Sequence, residues 1–522
     1  MNPTTKSSTG ADTASRCVYP WTPDQGDGTY RNPILCADYS DPDVVRHGDD
    51  FWMTASSFNC TPGLPILHSR DLVNWTLVNH ALKNVPGERY NEVQPGCGVW
   101  APSIRFHAGK FWIFFPAPDE GLYVTTATDP RGTWSEPHLV QAGKGLIDPC
   151  PLWDDDGNAY LAHAYAHSRS GIKHKLRVAP MSLDGTRLLG EGRIVFHEPE
   201  RHHTMEGPKF LKRDGWYYIL APAGGVATGW QVVLRSRNIF GPYEDKIVLQ
   251  QGRTPINGPH QGALVDTANG DWWFMHFQDV GVYGRVVHLQ PVAWREGWPL
   301  MGALHNDAPT GEPVLQHPKP KLPIAPIATP ATSDEFNSSK LGLQWQWHAN
   351  HRHDWYSLTA RPGWLRLFGQ AVPQNQLLRA PHLLLQKFPA REFTVEAQLD
   401  FSGGRAGDEA GLIIMGRAHA AIALRKTEFG TQLVFRNGGE QLFDETANNT
   451  VRFRVVVQEA GVCDFSYVGA EGHWTAMPTT FQAQAGVWIG AKLGLFAAGQ
   501  GHADFDYFRF TPLPGRPAPR HV

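Results

Sequence analysis

The chain has 522 residues, 41% of them hydrophobic and 19% charged, with a formal net charge of −3. That length exceeds a single hydrophobic core and predicts at least two domains, while the near-neutral balance, with no basic block or stripe, argues against nucleic-acid binding. No apolar stretch is long enough to span a bilayer, and the six cysteines form no CxxC pair, so they read as reduced thiols rather than a disulfide framework or zinc site.

Residues 1–27 open with the polar run MNPTTKSSTGADTASR and are expected to form a loose leader. The run has no hydrophobic core and is not a signal peptide as written. The chain as it stands is expected in the cytoplasm, or in the periplasm or outside if a native leader has been removed.

From 28 to 302 one pattern recurs five times. A polar opener, a short strand, a Gly/Asn/Asp turn and an aromatic-rich second strand follow one another. The units are SDPDVVRHGDDFWMTASSF, WAPSIRFHAGKFWIFFPAP, DPCPLWDDDGNAYLAHAY, EGPKFLKRDGWYYILAPA and HQGALVDTANGDWWFMHFQ, opened by Asp41, Trp100, Asp148, Glu206 and His260. A third strand follows each, as in GLYVTTAT, and outer segments such as LVNWTLV, GTWSEP and GPYEDK complete the unit. Hairpin turns and aromatic strands at a period of about 50–60 residues predict an all-β fold, a five-bladed β-propeller. Openers in equivalent slots then converge on the axis. Asp154, Asp155, Asp156 and Asp214 fall in the hairpin turns and are expected to be solvated.

Residues 303–331 are Pro-rich (PTGEPVLQHPKPKLPIAPIATPA) and predict an extended connector with neither sheet nor helix. From 332 to 514, alternating runs such as FTVEAQLDF, GLIIMGR and VRFRVVVQ predict an antiparallel β-sandwich. Residues 515–522 form a Pro/Arg-rich tail, expected to be loose. Asp334, Glu335, Asp504 and Asp506 lie near the two ends of the second domain and are candidates for a structural calcium site.

The openers carry the chemistry. Inverting hydrolysis of a glycosidic bond needs a protonated acid at the leaving oxygen and a carboxylate to activate water. A third acid nearby raises the proton affinity of the first, because adjacent negative charges disfavour each other. Asp41, Asp148 and Glu206 supply three acids in matching slots. Asp-Pro is also a common turn-initiating pair; the repetition of the slot favours chemistry. From the residues alone, base and tuner cannot be told apart between the two aspartates.

The runs NPILCADYSDPDVVRHGDDFWMTASSF, GVWAPSIRF, GLIDPCPLWDDDGNAYLAHA, EGPKFLKRDGWYYIL and HFQDVGVYGRVVHLQPVAW together resemble glycoside hydrolase family 43. That family comprises inverting β-xylosidases, α-L-arabinofuranosidases and arabinanases. The second domain is similar to the concanavalin-like sandwich of the family's xylosidase/arabinofuranosidase branch. The resemblance implies Asp41 as general base, Glu206 as general acid and Asp148 as the residue that raises the acid's pKa. It implies Phe58 and Trp100 as walls for the terminal sugar and Arg285 as a sugar-binding residue. It places His260 at a calcium or sodium ion held largely through water, and implies no cofactor for the chemistry.

The expected function is exo-acting, inverting removal of terminal α-L-arabinofuranosyl residues from hemicellulose oligosaccharides. The alternative is a β-D-xylosidase. The long loop VNHALKNVPGERYNEVQPGCGVWAP and the second domain are expected to close a groove into a pocket, which favours exo action. A retaining fructan-type hydrolase is disfavoured by the Tyr-Ser-Asp-Pro-Asp context of Asp41, and a non-catalytic carbohydrate-binding propeller by the presence of all three acids. The expected partner is an oligosaccharide; neither nucleic acid nor membrane is expected, and the oligomeric state is open.

Overall fold

Some hairpins of the first domain turn on pairs of residues in the left-handed region. Ala108 and Gly109 have φ of 48° and 76°, and Asp214 and Gly215 have 51° and 70°. Positive φ at both central positions is the type I′ turn, whose twist matches that of the strands it joins. A computed structural model describes residues 19–513, apart from 306–307, 439, 447 and 469–471.

Five four-stranded antiparallel sheets follow one another along the first domain. Their first strands are Asp43–His47, Ser103–His107, Leu146–Trp153, Lys209–Arg213 and His260–Asp266. Each sheet is nearly apolar on both faces; the second strand Lys110–Ala117 is buried at every position after Lys110. The sheets therefore pack face to face. Trp52 and Ile66 of the first sheet meet Ile104 and Ile113 of the second. Phe114 meets Leu161, Val178 meets Ile219, and Leu220 meets Phe274. The ring closes where Met275 and Leu289 of the fifth sheet share a core with Met53 and Leu67 of the first.

Several expectations need correction in detail. The openers Asp41, Trp100 and Glu206 precede their first strands rather than starting them. Asp148 lies within its strand, where the register slips between Ile147 and Cys150. The outermost strands fall later than expected: His138–Ala142 follows GTWSEP, and Glu244–Leu249 begins inside GPYEDK. Asp154 is not solvated. Its carboxylate is covered and accepts from Lys212 Nζ at 2.5 Å and Tyr217 Oη at 2.6 Å, which ties the third sheet to the fourth.

The Pro-rich connector does form sheet. Gln316–Pro318 pairs antiparallel with Thr29–Arg31, an edge position that tolerates proline. Lys319 reaches Asp24 at 2.5 Å and Asp71 at 3.0 Å, and Asn74 donates to Asp24. Residues 19–27 of the expected leader are thus tied to the ring by a buried acid; residues 1–18 and the expected tail lie outside the described residues. The described cysteines 36, 60, 97, 150 and 463 are free thiols.

The second domain packs a seven-stranded sheet on an eight-stranded one. Phe393–Asp400 alternates buried and half-buried residues throughout, the period-two signature of a sheet with one face on a core. The two domains meet broadly. Thr61 and Trp347 pair through their backbones, Asn350 bonds both backbone groups of Val85, and Tyr283 of the ring enters the sandwich core. Among the described residues no helix is long and apolar enough to cross a membrane.

Candidate active site

Asp41 and Asp148 share an unusual conformation. Both are non-glycine residues with positive φ, 55° and 57°, and both precede proline, which normally confines a residue to extended backbone. Strain of this kind persists only where the surroundings over-determine it. Around Asp41 those surroundings are explicit. Its Oδ2 accepts from Ser40 Oγ at 2.7 Å and from Ser56 Oγ at 2.5 Å, and Arg285 Nη1 stands 3.3 Å from Oδ1. Three donors converge on the carboxylate, an acceptor-only arrangement.

Asp148 is 3% exposed and accepts from the Gly207 amide at 2.7 Å. Gly207 has φ 60°, and a Cβ there would lie 2.9 Å from the Gln261 side chain; the tight fit holds that amide against Asp148. Burial pushes the Asp148 carboxyl above the usual carboxylate range and the charge of Asp41 adds to this, against the pull of Gly207 and of Lys209. Lys209 is fully buried beneath the site and donates to Pro102 O and Ser103 Oγ.

Glu206 adjoins Gly207, and its side chain is 27% exposed. Burial, then the charges of Asp148 and Asp41, push its carboxyl well above the ordinary range. Like-charge crowding and desolvation favour the neutral form of an acid. The site thus pairs an acid that keeps its proton with a carboxylate ringed by donors.

His260 lies 3.7 Å from Glu206 Oε1. It is completely buried, and neither ring nitrogen has a hydrogen-bond partner. Burial pushes it down to about 3, with Arg285 and His276 adding to the effect, so the imidazole is neutral. Calcium takes six to eight oxygen ligands. Here one imidazole faces one carboxyl, and no group of three or more His, Cys, Asp or Glu able to hold a metal occurs among the described residues. The side chains do not fit a directly ligated calcium or sodium ion. The second-domain acids are also taken: Glu335 pairs with Arg509 and Asp504 with Arg366 and Arg361, Trp345 donates to Asp334, and Gln398 donates to Asp506.

Phe58 is 2% exposed and backs the half-buried Trp100 ring at 6.4 Å. The Arg169 guanidinium lies 5.0 Å from the Trp100 ring. Arg285 is buried, 4.7 Å over Phe277, and its first partners are Ser40 and Asp41. Three further residues escaped the sequence reading. Ser56 had no signal beyond its place before Phe58. Asp38 links the Arg285 amide to the Gly490 amide of the sandwich. Trp488, also from the sandwich, stands 6.4 Å from Trp100 and 5.5 Å from the Arg285 guanidinium. The long loop reaches the same place, since a Cβ on Gly96 would meet Val487 at 2.5 Å.

A ring of sheets that sets an acid with high proton affinity beside a donor-ringed carboxylate is the apparatus of a glycosidic-bond hydrolase. The glycosyl hydrolases family 43 profile matches residues 30–299, and that of the beta xylosidase C-terminal concanavalin A-like domain matches 333–511. The chain belongs to glycosyl hydrolase family 43. It is similar to a putative beta-xylosidase of Xylanibacter ruminicola, with 41% identity over 90% of this chain and 86% of the relative. It is 28% identical to a non-reducing end alpha-L-arabinofuranosidase of Bacteroides ovatus, over 93% and 95% of the two chains. The crystal structure of the GH43 BlXynB protein from Bacillus licheniformis superposes with a TM-score of 0.80 at 27% identity, covering 93% of this chain and all of that one.

Proposed function

We propose that this glycoside hydrolase is exo-acting and inverting, and that it removes a terminal pentosyl residue from hemicellulose-derived oligosaccharides. Glu206 donates its proton to the glycosidic oxygen as the bond to the anomeric carbon breaks. Asp41 takes a proton from the water that attacks the opposite face. Asp148 keeps the Glu206 proton in place by its charge and fixes the Gly207 amide beside it. The observation that carries this reading is the contrast between the two carboxyls: crowding and burial hold a proton on Glu206, while three donors face Asp41. NMR of the first-formed sugar tests it. The anomer opposite to that of the substrate is expected; net retention overturns the mechanism. Glu206→Ala and Asp41→Ala are each expected to abolish turnover with the fold preserved, and retained activity in either removes its assignment.

The sequence reading favoured α-L-arabinofuranosyl over β-D-xylosyl substrates. No contact in the site supports that order. The Xylanibacter ruminicola relative is named a beta-xylosidase and the Bacteroides ovatus relative an arabinofuranosidase, which favours a β-D-xylosyl substrate at least equally. Turnover of nitrophenyl α-L-arabinofuranoside and β-D-xyloside side by side ranks them.

A further inference from the structure

The ring, the connector and the sandwich together line a second pocket away from the three acids. It offers about 50 Å³ to the centres of water-sized atoms. One water needs roughly 10–15 Å³ by that measure, so the space suits a few waters or one small organic molecule. Trp21, Ile34, Leu77 and Leu343 give it apolar walls, and Lys387 and His80 give it polar ones.

The charge there is unbalanced. The Lys387 ammonium lies 5.1 Å from the Tyr39 ring and has no ion pair with an acid among the described residues. Its register partner on the neighbouring strand is a second lysine, Lys492. Lys492 is 3% exposed and donates to the neutral Gln346 side chain. Asp38 is the one carboxylate whose charge is felt at Lys387, and both its oxygens already accept from Arg285 and Gly490. Burial, with Lys492 second, pushes Lys387 down to about 8, which leaves it charged at pH 7. Burial pushes His80 down to about 3, so His80 is a neutral donor or acceptor, and its Nδ1 is buried without a partner. Lys387 is half-buried, and a small anion seated in the cavity would supply the counter-charge that neither Lys492 nor the already occupied Asp38 provides.

We propose that this cavity is a binding site for a short-chain aliphatic carboxylate of the size of acetate, its carboxylate on Lys387 and His80 and its alkyl end against Ile34 and Leu77. The apolar walls distinguish such a ligand from a halide. Residues 34–37 and Tyr39, which form one wall, lead directly to Asp41, so the ligand would brace the segment that carries that carboxylate.

The test is thermal unfolding of the full chain in rising sodium acetate, with sodium chloride at matched ionic strength as the control. Acetate is expected to raise Tm in proportion to the logarithm of its concentration above Kd, by about 1–2 °C at tenfold over its Kd, and chloride is not. Lys387→Met is expected to lose the acetate response while keeping its basal turnover. Leu77→Trp, which fills the cavity from the ring side, is expected to lose it too, and decides the matter if Lys387→Met fails to fold. Absence of a logarithmic rise with acetate, an equal rise with chloride, or a wild-type response in Leu77→Trp overturns the proposal.

Discussion

Nη1 of Arg285 stands 3.3 Å from Oδ1 of Asp41, and both residues are more than nine-tenths buried. The same nitrogen donates to Ser40 Oγ at 2.7 Å, and Ser40 in turn donates to Asp41. The arginine expected from sequence to contact the sugar therefore has a prior task, to hold the proposed base in its strained conformation.

Arg285→Met is accordingly expected to do more than weaken substrate binding. Breaking a buried pair strands a charge and costs about 3–5 kcal/mol of stability, and a small displacement of the base lowers kcat by on the order of 10²-fold. Arg285→Lys keeps the charge but loses the guanidinium fork and is expected to recover only part of both. Steady-state kinetics and denaturant unfolding check this. A rise in KM at unchanged kcat in Arg285→Met would assign the arginine to the sugar alone.

The raised proton affinities of Asp148 and Glu206 predict how stability depends on pH. In the unfolded chain both acids ionise in the ordinary carboxylate range; in the folded protein they hold protons to higher pH. Between those limits the native state binds more protons than the unfolded one, so its stability falls as pH rises. Glu206→Gln and Asp148→Asn remove that penalty. Each is expected to unfold at higher denaturant than wild type at pH 8, and to show little difference near pH 4. Asp148→Asn also relieves Glu206 of a neighbouring charge, so the alkaline limb of kcat/KM, where the acid loses its proton, is expected to move to lower pH. An unmoved limb would remove Asp148 from its proposed role.

Trp488 is 49% exposed, yet it faces Trp100 and Arg285. An exposed aromatic beside the acids contributes more to a ligand than to the fold. Trp488→Ala is expected to leave Tm nearly unchanged and to raise KM by about fivefold, the effect of about 1 kcal/mol of ring stacking, with kcat little affected. Unaltered KM would place the ring outside the substrate's path.

What the sequence disclosed and what it hid divide along chain separation. Five turns, five aromatic strands and five openers are local patterns, and each mapped onto one four-stranded sheet. Asp41, Asp148 and Glu206 stood out in the sequence because the repeat sets each near the start of its unit, and the structure brings them close enough for their charges to act on one another. Trp488 was not, because it reaches the ring from the second domain and no periodicity links the two. Asp154 was misread because its turn looks like any solvated hairpin, and its covering lysine comes from another sheet. The connector was misread because a two-stranded pairing with Thr29–Arg31 depends on a partner far away in sequence.

Asp38 joins the two domains at the site. Its Oδ1 accepts from the Arg285 amide at 2.9 Å and its Oδ2 from the Gly490 amide at 3.0 Å. Gly490 comes so close that a Cβ there would lie 2.7 Å from the Gly284 nitrogen. Asp38→Asn turns one acceptor into a donor that faces an N–H across a buried contact. A charge-assisted hydrogen bond of this kind is worth roughly 1.5–3 kcal/mol, so Asn is expected to lower the unfolding free energy by about that amount. It should also reduce kcat, because the strand that presents Arg285 to Asp41 begins at the amide Asp38 holds. Urea unfolding monitored by tryptophan fluorescence, run beside kinetics, checks both. A wild-type midpoint with wild-type kcat would show that the Gly490 contact can be lost without moving Arg285.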